Sequence, residues 1–495
     1  MSIRSPFGRR DFLAVTSAVL GTTMIAGCAG GVPPTVGALN GTLSLSGHLG
    51  EIPPPARGDP NRVLVVGAGI AGLAAANALH TAGVDVLVLE GRERVGGRLH
   101  TVTVGGVRVD AGGSWIHHAK NNCLTQVADS AGVPRRDHSI DRLMRHGALC
   151  GPRGEWLHKL ETLLLLAKTV GFDVAAARAA HDVELGKSVS DVVTQYVDSA
   201  VSDLNYRRDL TFLLTRVAET VNAASTSSLG TGNYEPTYAE VGGDDVPVGG
   251  YSAITRRLAG WLPVRLGAKV QAICCDERGA SVLLSNGRVE RGSHVIVTVP
   301  VGVLQAGTIA FHSPWPEAKR AALRAFNPGR FEKVILRYDQ RWWRERGTGF
   351  LLESARSTGL DTWLDFSEPA GAPTLVALCG GSAADALLEL GSFERVVGAA
   401  ADVLGSKVHP RLSTPSAWHV TNWRNDPWVR GAYASLRPGA SFAVADQLAE
   451  PLWGRILFAG EATSSTLLGY ADGALLSGLR EAQRLLQQKY VELLI

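Results

Sequence analysis

The sequence predicts an α/β fold with more than one domain, and three observations support this. The chain has 495 residues, whereas a single domain usually takes about 150. Hydrophobic residues make up 45% of the chain and charged residues 19%, a balance that excludes wholesale disorder. From residue 63 an apolar run, a glycine-rich turn, an alanine-rich stretch and a second apolar run follow one another, which is the order of a βαβ unit.

The composition narrows the class of protein further. The formal net charge of +3 is too small to indicate a nucleic-acid partner, and no basic cluster with interleaved aromatic residues indicates one either. Glycine is the outlier, with 57 residues against a usual share of about 7%. We therefore expect many tight turns, or many places where backbone approaches a ligand.

The six cysteines are too few for a disulfide scaffold, and none has the spacing of a metal site. We predict no metal, and we interpret the five cysteines that follow Cys28 as buried thiols. They are Cys123, Cys150, Cys274, Cys275 and Cys379.

The first 27 residues resemble a twin-arginine export signal. Arg9-Arg10 precedes an apolar run over residues 14–27 that is too short for a comfortable membrane span. Residues 25–28 resemble a bacterial lipobox, in which Cys28 would carry lipid; the alternative is an uncleaved N-terminal anchor. Residues 28–60, rich in Gly and Pro, read as a flexible tether. We expect an exported protein, lipid-anchored to the bacterial envelope, or a cytoplasmic one if the signal interpretation is wrong.

The βαβ unit has the residues of a dinucleotide site. Val63–Val66 reads as a buried strand that runs into the turn Gly67-Ala68-Gly69-Ile70-Ala71-Gly72, then a helix over 71–82 and a strand over 84–89. In such a turn the first glycine permits the bend, the second lets backbone approach a pyrophosphate and the third lets helix pack on strand. The diphosphate would lie on the helix N-terminus, and Glu90 would accept hydrogen bonds from the adenosine ribose. These residues leave FAD and NAD both open.

The next segment resembles a known family. Glu90-Gly91-Arg92-Glu93-Arg94-Val95-Gly96-Gly97-Arg98 adds a second glycine pair between arginines, as in the flavin-containing amine oxidases. Further matching segments follow along nearly the whole chain after residue 61. They are Asp110–His117, Pro247–Tyr251, Val295–Leu304 and Leu457–Thr463.

The resemblance implies an FAD cofactor and the residues that bind it. Arg92 and Arg98 would contact its phosphates and ribityl region, the backbone of Val270 its adenine, and Glu461 its ribityl chain. Ala432 stands where some relatives carry a cysteine bonded to flavin, so the FAD would be non-covalent. The implied cofactor-binding residues are Gly67, Ala68, Gly69, Gly72, Glu90, Arg92, Gly97, Arg98, Gly113, Ser114, Trp115, Val270, Trp423, Gly460, Glu461 and Ala471.

The resemblance also implies two interleaved domains. A Rossmann-type FAD-binding domain of the glutathione-reductase-like kind would comprise 61–115, 244–305 and 415–495. An α+β substrate-binding domain would comprise 116–243 and 306–414.

In the last part of the chain we expect a terminal helix over 473–490, with Asp472 as its N-cap and its positive end toward the flavin. Further helices are expected over 156–186, 204–221 and 316–326.

Three residues match the catalytic positions of the family. Lys333 lies in the strand-like run Phe331–Leu336, and alternation places it on the face of Phe331 and Ile335. It matches a lysine that holds a water against the flavin; the alternative is an edge lysine with its ammonium in water. Tyr433 and Tyr470 match an aromatic cage that orients an amine; the alternative is a pair of core tyrosines.

Together these expectations predict an FAD-dependent oxidase. It would convert a primary or secondary amine to an imine, then aldehyde, and reduce oxygen to hydrogen peroxide. No second Gly-x-Gly-x-x-Gly follows a strand-like run, so electrons would come from the substrate rather than from a nicotinamide. The alternatives are an L-amino acid oxidase, another FAD-dependent dehydrogenase or desaturase of this fold, and a non-catalytic flavin-binding lipoprotein.

The substrate class stays open at the sequence level. Trp115-Ile116-His117 resembles polyamine oxidases, whereas Tyr470 resembles monoamine oxidases. Glu235, Asp244 and Asp245 are candidates for holding a polyamine's second ammonium, and His117 is a candidate for the pocket mouth. The sequence leaves the oligomeric state open, and the only membrane contact expected is a lipid on Cys28.

Overall fold

The computed structural model describes residues 62–138 and, with gaps, 148–492. The gaps fall mainly between residues 152 and 185 and at 234–242, 344–348, 353–357 and 409–413, with residue 278 also left out. The predicted signal, the tether, Cys28, Glu235 and most of the helix expected over 156–186 therefore lie outside the described residues.

A five-stranded parallel sheet forms the first layer and confirms the α/β class. Four of its strands are short and almost wholly buried on both faces, as their Val, Leu and Ile composition predicts, and the edge strand Val264–Arg265 is half-buried. Val63–Val66 is the central strand, and helices cover one face of the sheet. The strands, in spatial order, are Ile456–Phe458, His294–Val297, Val63–Val66, Val86–Leu89 and Val264–Arg265. This one sheet thus joins strands from three distant parts of the chain, while the exact domain boundaries stay a prediction.

Two helices pack against this sheet and against each other. Ile70–Thr81 follows the glycine turn, and Ala471–Glu492 lies along it near the end of the chain. At two glycines the backbone approaches a neighbouring backbone so closely that a side chain would not fit. A Cβ at Gly72 would lie 2.0 Å from the Gly67 carbonyl oxygen, and one at Gly478 would lie 2.1 Å from the Ala71 carbonyl oxygen.

A four-stranded sheet covers the other face of the parallel sheet. Ile273 and Val282 of this sheet share an apolar core with Leu64 and Val66. Its strands, in spatial order, are Val289–Gly292, Gly279–Leu284, Val270–Asp276 and Ala310–Phe311.

A six-stranded, mainly antiparallel sheet forms the second half of the molecule. In its strand Phe331–Arg337, Val334 and Leu336 face one core, whereas Ile335 faces a second core that also contains Trp115. Lys333 therefore shares the face of Ile335. The strands, in spatial order, are Ala417–Val420, Phe331–Arg337, Thr374–Gly380, Thr362–Asp365, Gly349–Leu352 and Ala148–Cys150.

The remaining elements connect or cover these sheets. The further α-helices are Cys123–Ser130, Val189–Ala200, Leu204–Asn222, Ser252–Ala259, Val301–Gln305, Glu317–Arg324, Ser367–Ala370, Ser382–Glu389, Phe393–Lys407 and Ala443–Ala449, and Thr231–Asn233 and Glu461–Thr463 are 3-10 helices. Three two-stranded pairings join Thr101–Val104 with Val107–Asp110, Arg135–Asp137 with Asp245–Pro247, and Phe326–Asn327 with Ser435–Leu436. None of the helices in the described ranges is long and apolar enough to cross a membrane.

The cysteine prediction is only partly right. Cys150 and Cys379 are buried, but Cys123, Cys274 and Cys275 are only half-buried. No two of these five described cysteines form a disulfide. The neighbours Cys274 and Cys275 alternate along a strand, so one thiol contacts Ser281 and the other Ser313.

Candidate active site

A cavity of about 690 Å³ lies at the carboxyl ends of the parallel strands and extends to the six-stranded sheet. Ligands of open α/β sheets bind at this edge because the strand-to-helix turns expose backbone N–H groups there. The three predicted catalytic residues all line it, as do most of the predicted cofactor residues. The latter are Gly67, Gly69, Glu90, Arg92, Gly97, Arg98, Gly113, Ser114, Trp115, Val270, Trp423, Gly460, Glu461 and Ala471.

The glycine turn leaves its backbone open to the cavity. Gly67 has a φ of +107°, which a side chain rarely tolerates. Gly69 is the N-cap of the helix Ile70–Thr81, no side chain caps this helix, and no acidic residue lies in its first turn. A Cβ at Gly69 would meet no atom within 4 Å, whereas one at Gly97 would lie 3.3 Å from the Gly69 Cα. The helix N-terminus is therefore free to bind an anion.

Two predicted cofactor residues lie inside the turn and not on the cavity wall. Gly72 packs on Gly67, and the backbone N–H of Ala68 donates to Oε2 of Glu90 over 2.7 Å. The other oxygen of Glu90 accepts from the backbone N–H of Arg92 over 2.9 Å. These bonds hold the buried Glu90 carboxylate at the end of the second strand.

The Glu461 carboxylate accepts hydrogen bonds from segments that are far apart in the chain. Its Oε1 accepts from Arg98 over 2.7 Å, and its two oxygens also accept from the backbone N–H groups of Ala434 and Gly469. Arg98 in turn donates to the Ala432 carbonyl oxygen over 2.7 Å, and Arg92 pairs with Asp426 over 2.7 Å. The Arg–carboxylate pairs fix these side chains in the cavity wall.

Lys333 is buried, with 3% of its surface exposed, and its ammonium is surrounded by acceptors. Nζ donates to the carbonyl oxygens of Asp110 (3.2 Å) and Gly112 (2.7 Å) and to Oγ of Ser114 (2.6 Å). It also lies 5.3 Å from the centroid of the Trp115 ring. Burial lowers the pKa of Lys333 to about 8, and the nearby Asp110 carboxylate opposes this shift.

Asp110 is the buried counter-charge of Lys333. Its carboxylate accepts from Oγ1 of Thr101 over 2.6 Å and from the backbone N–H of Tyr251 over 3.1 Å. Burial raises its pKa to about 6, while these hydrogen bonds and Lys333 act in the opposite direction.

The two tyrosines line the same cavity from different loops. The Tyr433 hydroxyl donates to the carbonyl oxygens of Thr220 (2.8 Å) and Val221 (3.0 Å), at the end of the helix Leu204–Asn222. The Tyr470 ring stands edge-on to His117 with centroids 5.4 Å apart. The roles of both in an aromatic cage stay a prediction.

Of the acidic candidates for a second ammonium, Asp244 and Asp245 lie in the described residues, and neither lines the cavity. Asp244 is fully buried, and its Oδ1 lies 3.0 Å from Nδ1 of His117. Asp245 pairs with Arg135 at the edge of a short strand. His117 does reach the cavity wall, where its ring stacks on Trp115 with centroids 6.3 Å apart.

The expectation for Asp472 was wrong in detail. The helix begins at Ala471 and not at 473, so Asp472 lies in its first turn instead of capping it from outside. Its Oδ2 accepts from Nδ2 of Asn122 over 3.0 Å. Burial raises the pKa of Asp472, whereas the backbone N–H groups of the helix start oppose that shift. Asp472 therefore joins two helix starts, since Oδ1 of Asn122 caps Cys123–Ser130.

Several residues of the site had no signal in the sequence. Thr220, Val221, Asn222 and Leu378 line the cavity, yet they belong to an ordinary amphipathic helix and an ordinary buried strand. Glu332, beside Lys333, is fully buried and accepts from the backbone N–H groups of Trp423 and Arg424, both over 3.0 Å. It thereby holds the segment that places Trp423 on the cavity wall.

The residues present fit an FAD molecule. The uncapped helix start suits a diphosphate, the fixed Glu90 carboxylate suits a ribose, and the long glycine-lined cavity extends from there to Lys333. No group of three His, Cys, Asp or Glu side chains in the described part of the chain is arranged to hold a metal ion.

Comparison with known proteins agrees with this arrangement. The model of the family described as flavin containing amine oxidoreductase matches residues 70–486. A lysine-specific histone demethylase 1 homolog 2 of Oryza sativa subsp. japonica is 32% identical over 91% of this chain, which spans 62% of that protein's length. Polyamine oxidase 4 of the same organism is 29% identical over 87% of this chain and 90% of its own.

Among solved structures, a double mutant of a putrescine oxidase superposes with a TM-score of 0.70. Its sequence identity is 24%, over 86% of this chain and 99% of the other, so this likeness shows the fold alone. The family match, in contrast, begins within the glycine turn at Ile70 and spans Lys333, both tyrosines and Glu461. The chain therefore belongs to the flavin-containing amine oxidoreductase family, the FAD-dependent enzymes of amine oxidation.

Proposed function

We propose that this enzyme oxidises a primary or secondary amine at the carbon next to nitrogen. The amine gives up a hydride from that carbon and a proton from nitrogen and becomes an imine, which water hydrolyses to an aldehyde and ammonia or, from a secondary amine, a primary amine. Molecular oxygen takes the two electrons and two protons and leaves as hydrogen peroxide. The observation that carries this proposal is that the uncapped helix start, Lys333, Tyr433 and Tyr470 all line one continuous cavity.

FAD, when bound, supplies the hydride acceptor of this reaction. The helix start at Gly69 would hold its diphosphate, Glu90 its adenosine ribose, Val270 its adenine, and Arg98 with Glu461 its ribityl chain. All of these residues line the same cavity.

Tyr433 and Tyr470 would orient the amine. Two ring faces attract a nitrogen centre and limit its orientations, which raises the fraction of bound substrate in a reactive geometry. Phe331, whose ring centroid lies 5.8 Å from that of Tyr433, and Leu378, which pairs with Lys333 on the neighbouring strand, also line the cavity, and their apolar surfaces would exclude water.

Lys333 would hold a water molecule and exchange a proton with it. In its protonated form all three N–H groups of Lys333 are used by Asp110, Gly112 and Ser114. The neutral amine keeps two of these bonds and offers a lone pair, which accepts a hydrogen bond from water. A lysine with its pKa lowered to about 8 can make this change near neutral pH.

The walls favour an amine with an apolar substituent. The cavity that Lys333 lines is also lined by Phe331, Leu378, Val221 and the two tyrosines. A polyamine is the second candidate, because a polyamine oxidase is similar over most of both chains and because His117, held by Asp244, offers a polar contact in the wall.

The decisive experiment is anaerobic mixing of the purified, yellow protein with an aromatic monoamine, an aliphatic monoamine and a polyamine. We expect at least one class of amine to bleach the flavin absorbance rapidly. The monoamines should do so at a lower concentration than the polyamine. If FAD is bound and no member of a broad amine panel bleaches it, the proposal is wrong. An L-amino acid that bleaches it when its decarboxylated amine does not would support the amino acid oxidase alternative.

Oxygen as acceptor is tested separately. The substrate-reduced protein is mixed with air-saturated buffer, and peroxide is measured against aldehyde. One peroxide per aldehyde supports the oxidase, whereas a slow return of colour without peroxide indicates a dehydrogenase with another acceptor.

We also propose that the chain is bacterial, exported and lipidated at Cys28. The support is the order of Arg9-Arg10, the short apolar run and Cys28 in the sequence. Mass spectrometry of the mature N-terminus tests this, with Cys28→Ser as the control that should lose the lipid. An unprocessed N-terminus in a bacterial host would contradict the proposal.

A further inference from the structure

Two tryptophans are unusually exposed. Trp261 has 80% of its surface in solvent and Trp453 has 66%. Single exposed apolar side chains are common on proteins, so exposure by itself carries little weight. Their positions in the fold make the pair informative.

Both tryptophans lie at the same edge of the parallel sheet. Trp261 lies between the helix Ser252–Ala259 and the strand Val264–Arg265, and Trp453 lies just before the strand Ile456–Phe458. Segments that enter parallel strands lie at the amino-terminal edge of the sheet, opposite the cavity. The two strands are the outermost of five, so the tryptophans are roughly 19 Å apart along this edge.

The backbone holds Trp453 outward. Leu452 and Ile456 exchange two backbone hydrogen bonds of 2.8 and 3.0 Å, which closes a tight turn. At its tip Trp453 has a φ of +56° and Gly454 a φ of +65°. A bulky residue in this left-handed region costs conformational energy, so the sequence keeps a tryptophan where asparagine or glycine would fit better.

The N-terminal part of the chain joins the fold between the two tryptophans. Arg62 is paired with Asp85 over 2.7 Å and leads into Val63–Val66, the central strand of the sheet. The 61 preceding residues, with Cys28 among them, therefore attach to the middle of the edge that carries Trp261 and Trp453.

This edge carries charges of both signs, and its exposed positive charge lies near Trp261. Arg256 and Arg257 are exposed in the last turn of the helix before Trp261. Near Trp453, Arg455 donates to the carbonyl oxygens of Ser293 and Glu277, and Glu277 itself is exposed. Aromatic contact would thus dominate binding here, with a smaller contribution from charge.

We propose that this edge rests on the surface of a phospholipid bilayer. Trp261 and Trp453 enter the headgroup region, where amphipathic indole rings are favoured, and Arg256 and Arg257 approach anionic headgroups. The contact is independent of a covalent lipid and would add to it. It places the cavity on the side of the protein away from the bilayer, so substrate would arrive from the aqueous phase.

The test uses the FAD-loaded full-length chain with Cys28→Ser, so that no covalent lipid contributes. Sedimentation with mixed phosphatidylcholine–phosphatidylglycerol vesicles measures binding, and brominated acyl chains report tryptophan contact through fluorescence quenching. We expect Trp261→Ser and Trp453→Asn each to weaken vesicle binding about tenfold, since each removes one indole ring that would enter the headgroup region. The double variant should lose both binding and quenching.

Trp418→Ser is the matched control, because Trp418 is also partly exposed (38%) but lies in the six-stranded sheet. It should bind vesicles like the parent. Bound flavin should be unchanged in every variant, since the cavity is at the opposite edge. The proposal is overturned if the double variant binds like the parent, if the control loses as much, or if the double variant only abolishes self-association in sedimentation without vesicles, which would make the edge a contact between copies of this chain.

Discussion

At the scale of single residues, the chemistry of the cavity depends on a buried pair of opposite charges. Burial raises the pKa of Asp110 to about 6 and lowers the pKa of Lys333 to about 8. Both groups are charged between these two values. Below pH 6 Asp110 takes up a proton, and above pH 8 Lys333 releases one, so the pair changes state at both ends of the physiological range.

We predict that turnover rises with pH through about 8, as Lys333 becomes neutral. Lys333→Met should remove this inflection and slow the oxygen-dependent half-reaction by about 10²- to 10⁴-fold.

The lowered pKa of Lys333 also fixes how the free energy of unfolding changes with pH. Between pH 8 and about 10.5 the unfolded chain binds a proton that the folded chain lacks, so this group's contribution to the free energy of unfolding increases with pH. Rate–pH profiles and urea unfolding measure the two effects.

Lys319→Met is the control for this prediction. Lys319 is a second buried lysine, and burial lowers its pKa to about 7, but it lies over the Phe458 ring and not in the cavity. Its loss should change stability and leave the inflection near pH 8 in place. An inflection that persists in Lys333→Met would contradict the assignment.

A second residue-scale prediction separates the ring of Tyr433 from its hydroxyl. Tyr433→Phe keeps the ring and loses the bonds to the Thr220 and Val221 carbonyls, so it should cost about 1 kcal/mol of stability and change kcat/KM little. Tyr433→Leu should lower kcat/KM by at least roughly tenfold, because the ring face is lost. Steady-state kinetics of both variants decide this, and equal losses would show that the hydroxyl matters instead.

At the scale of elements, the glycine turn and the two helices beside it form one tightly packed unit. Gly72 allows the helix Ile70–Thr81 to approach the turn, and Gly478 allows Ala471–Glu492 to approach that helix. A side chain at either position would push apart elements that bring the cavity wall together. The position of the helix start therefore depends on close packing as well as on the turn itself.

We predict that Gly72→Ala destabilises the fold and lowers the FAD content of the purified protein. Its Cβ would lie 2.0 Å from the Gly67 carbonyl oxygen, and such overpacking costs about 1–3 kcal/mol or more. Gly398→Ala is the matched control, because Gly398 lies within the helix Phe393–Lys407 and a Cβ there meets nothing within 4 Å. That variant should gain about 0.5–1 kcal/mol. Urea unfolding and flavin absorbance per chain measure both, and a Gly72→Ala protein as stable and as yellow as the parent would refute the packing argument.

At the scale of the whole molecule, the cavity joins parts of the chain that are far apart in sequence. Arg98, Glu461 and the backbone of Ala434 and Gly469 meet at one point, and Glu90 lies at another part of the same wall. A ligand that spans this wall contacts the first and last thirds of the chain at once. Its binding energy therefore stabilises the fold as a whole.

We predict that FAD at about 100 times its Kd adds about 2.7 kcal/mol to the free energy of unfolding and raises Tm by a few degrees. Glu461→Gln should reduce both the bound flavin and this shift, since it breaks the ion pair with Arg98 at a cost of roughly 3 kcal/mol. Glu450→Gln, a change at an exposed carboxylate, should do neither. Scanning calorimetry with and without added FAD tests this, and an unchanged shift in Glu461→Gln would show that the carboxylate does not support the cofactor.

Local patterns in the sequence were sufficient for several parts of the fold. The helix expected over 71–82 is Ile70–Thr81, that over 204–221 is Leu204–Asn222, and that over 316–326 is Glu317–Arg324. Alternation placed Lys333 on the face of Ile335. These features depend on contacts within a few residues, which periodicity reports directly.

The acidic candidates show where such patterns fail. The carboxylates of Asp244 and Asp245 are adjacent and polar, which suggested a place for a second ammonium. Asp244 instead meets His117 and Asp245 meets Arg135, each more than a hundred residues away in the chain. Which partner a charged side chain finds depends on how the sheets pack, and no local pattern carries that information.

The sequence by itself determined the βαβ unit, the glycine turn, the face of Lys333 and the family, because each is encoded by residues close together or by segments that match a known order. Only the tertiary structure decided that Lys333 has three acceptors and a buried counter-charge, and that Thr220, Val221 and Asn222 line the cavity. It also decided that Trp261, Trp453 and the entry of the N-terminal segment share one edge. These depend on the relative positions of elements, which are set by the packing of whole layers.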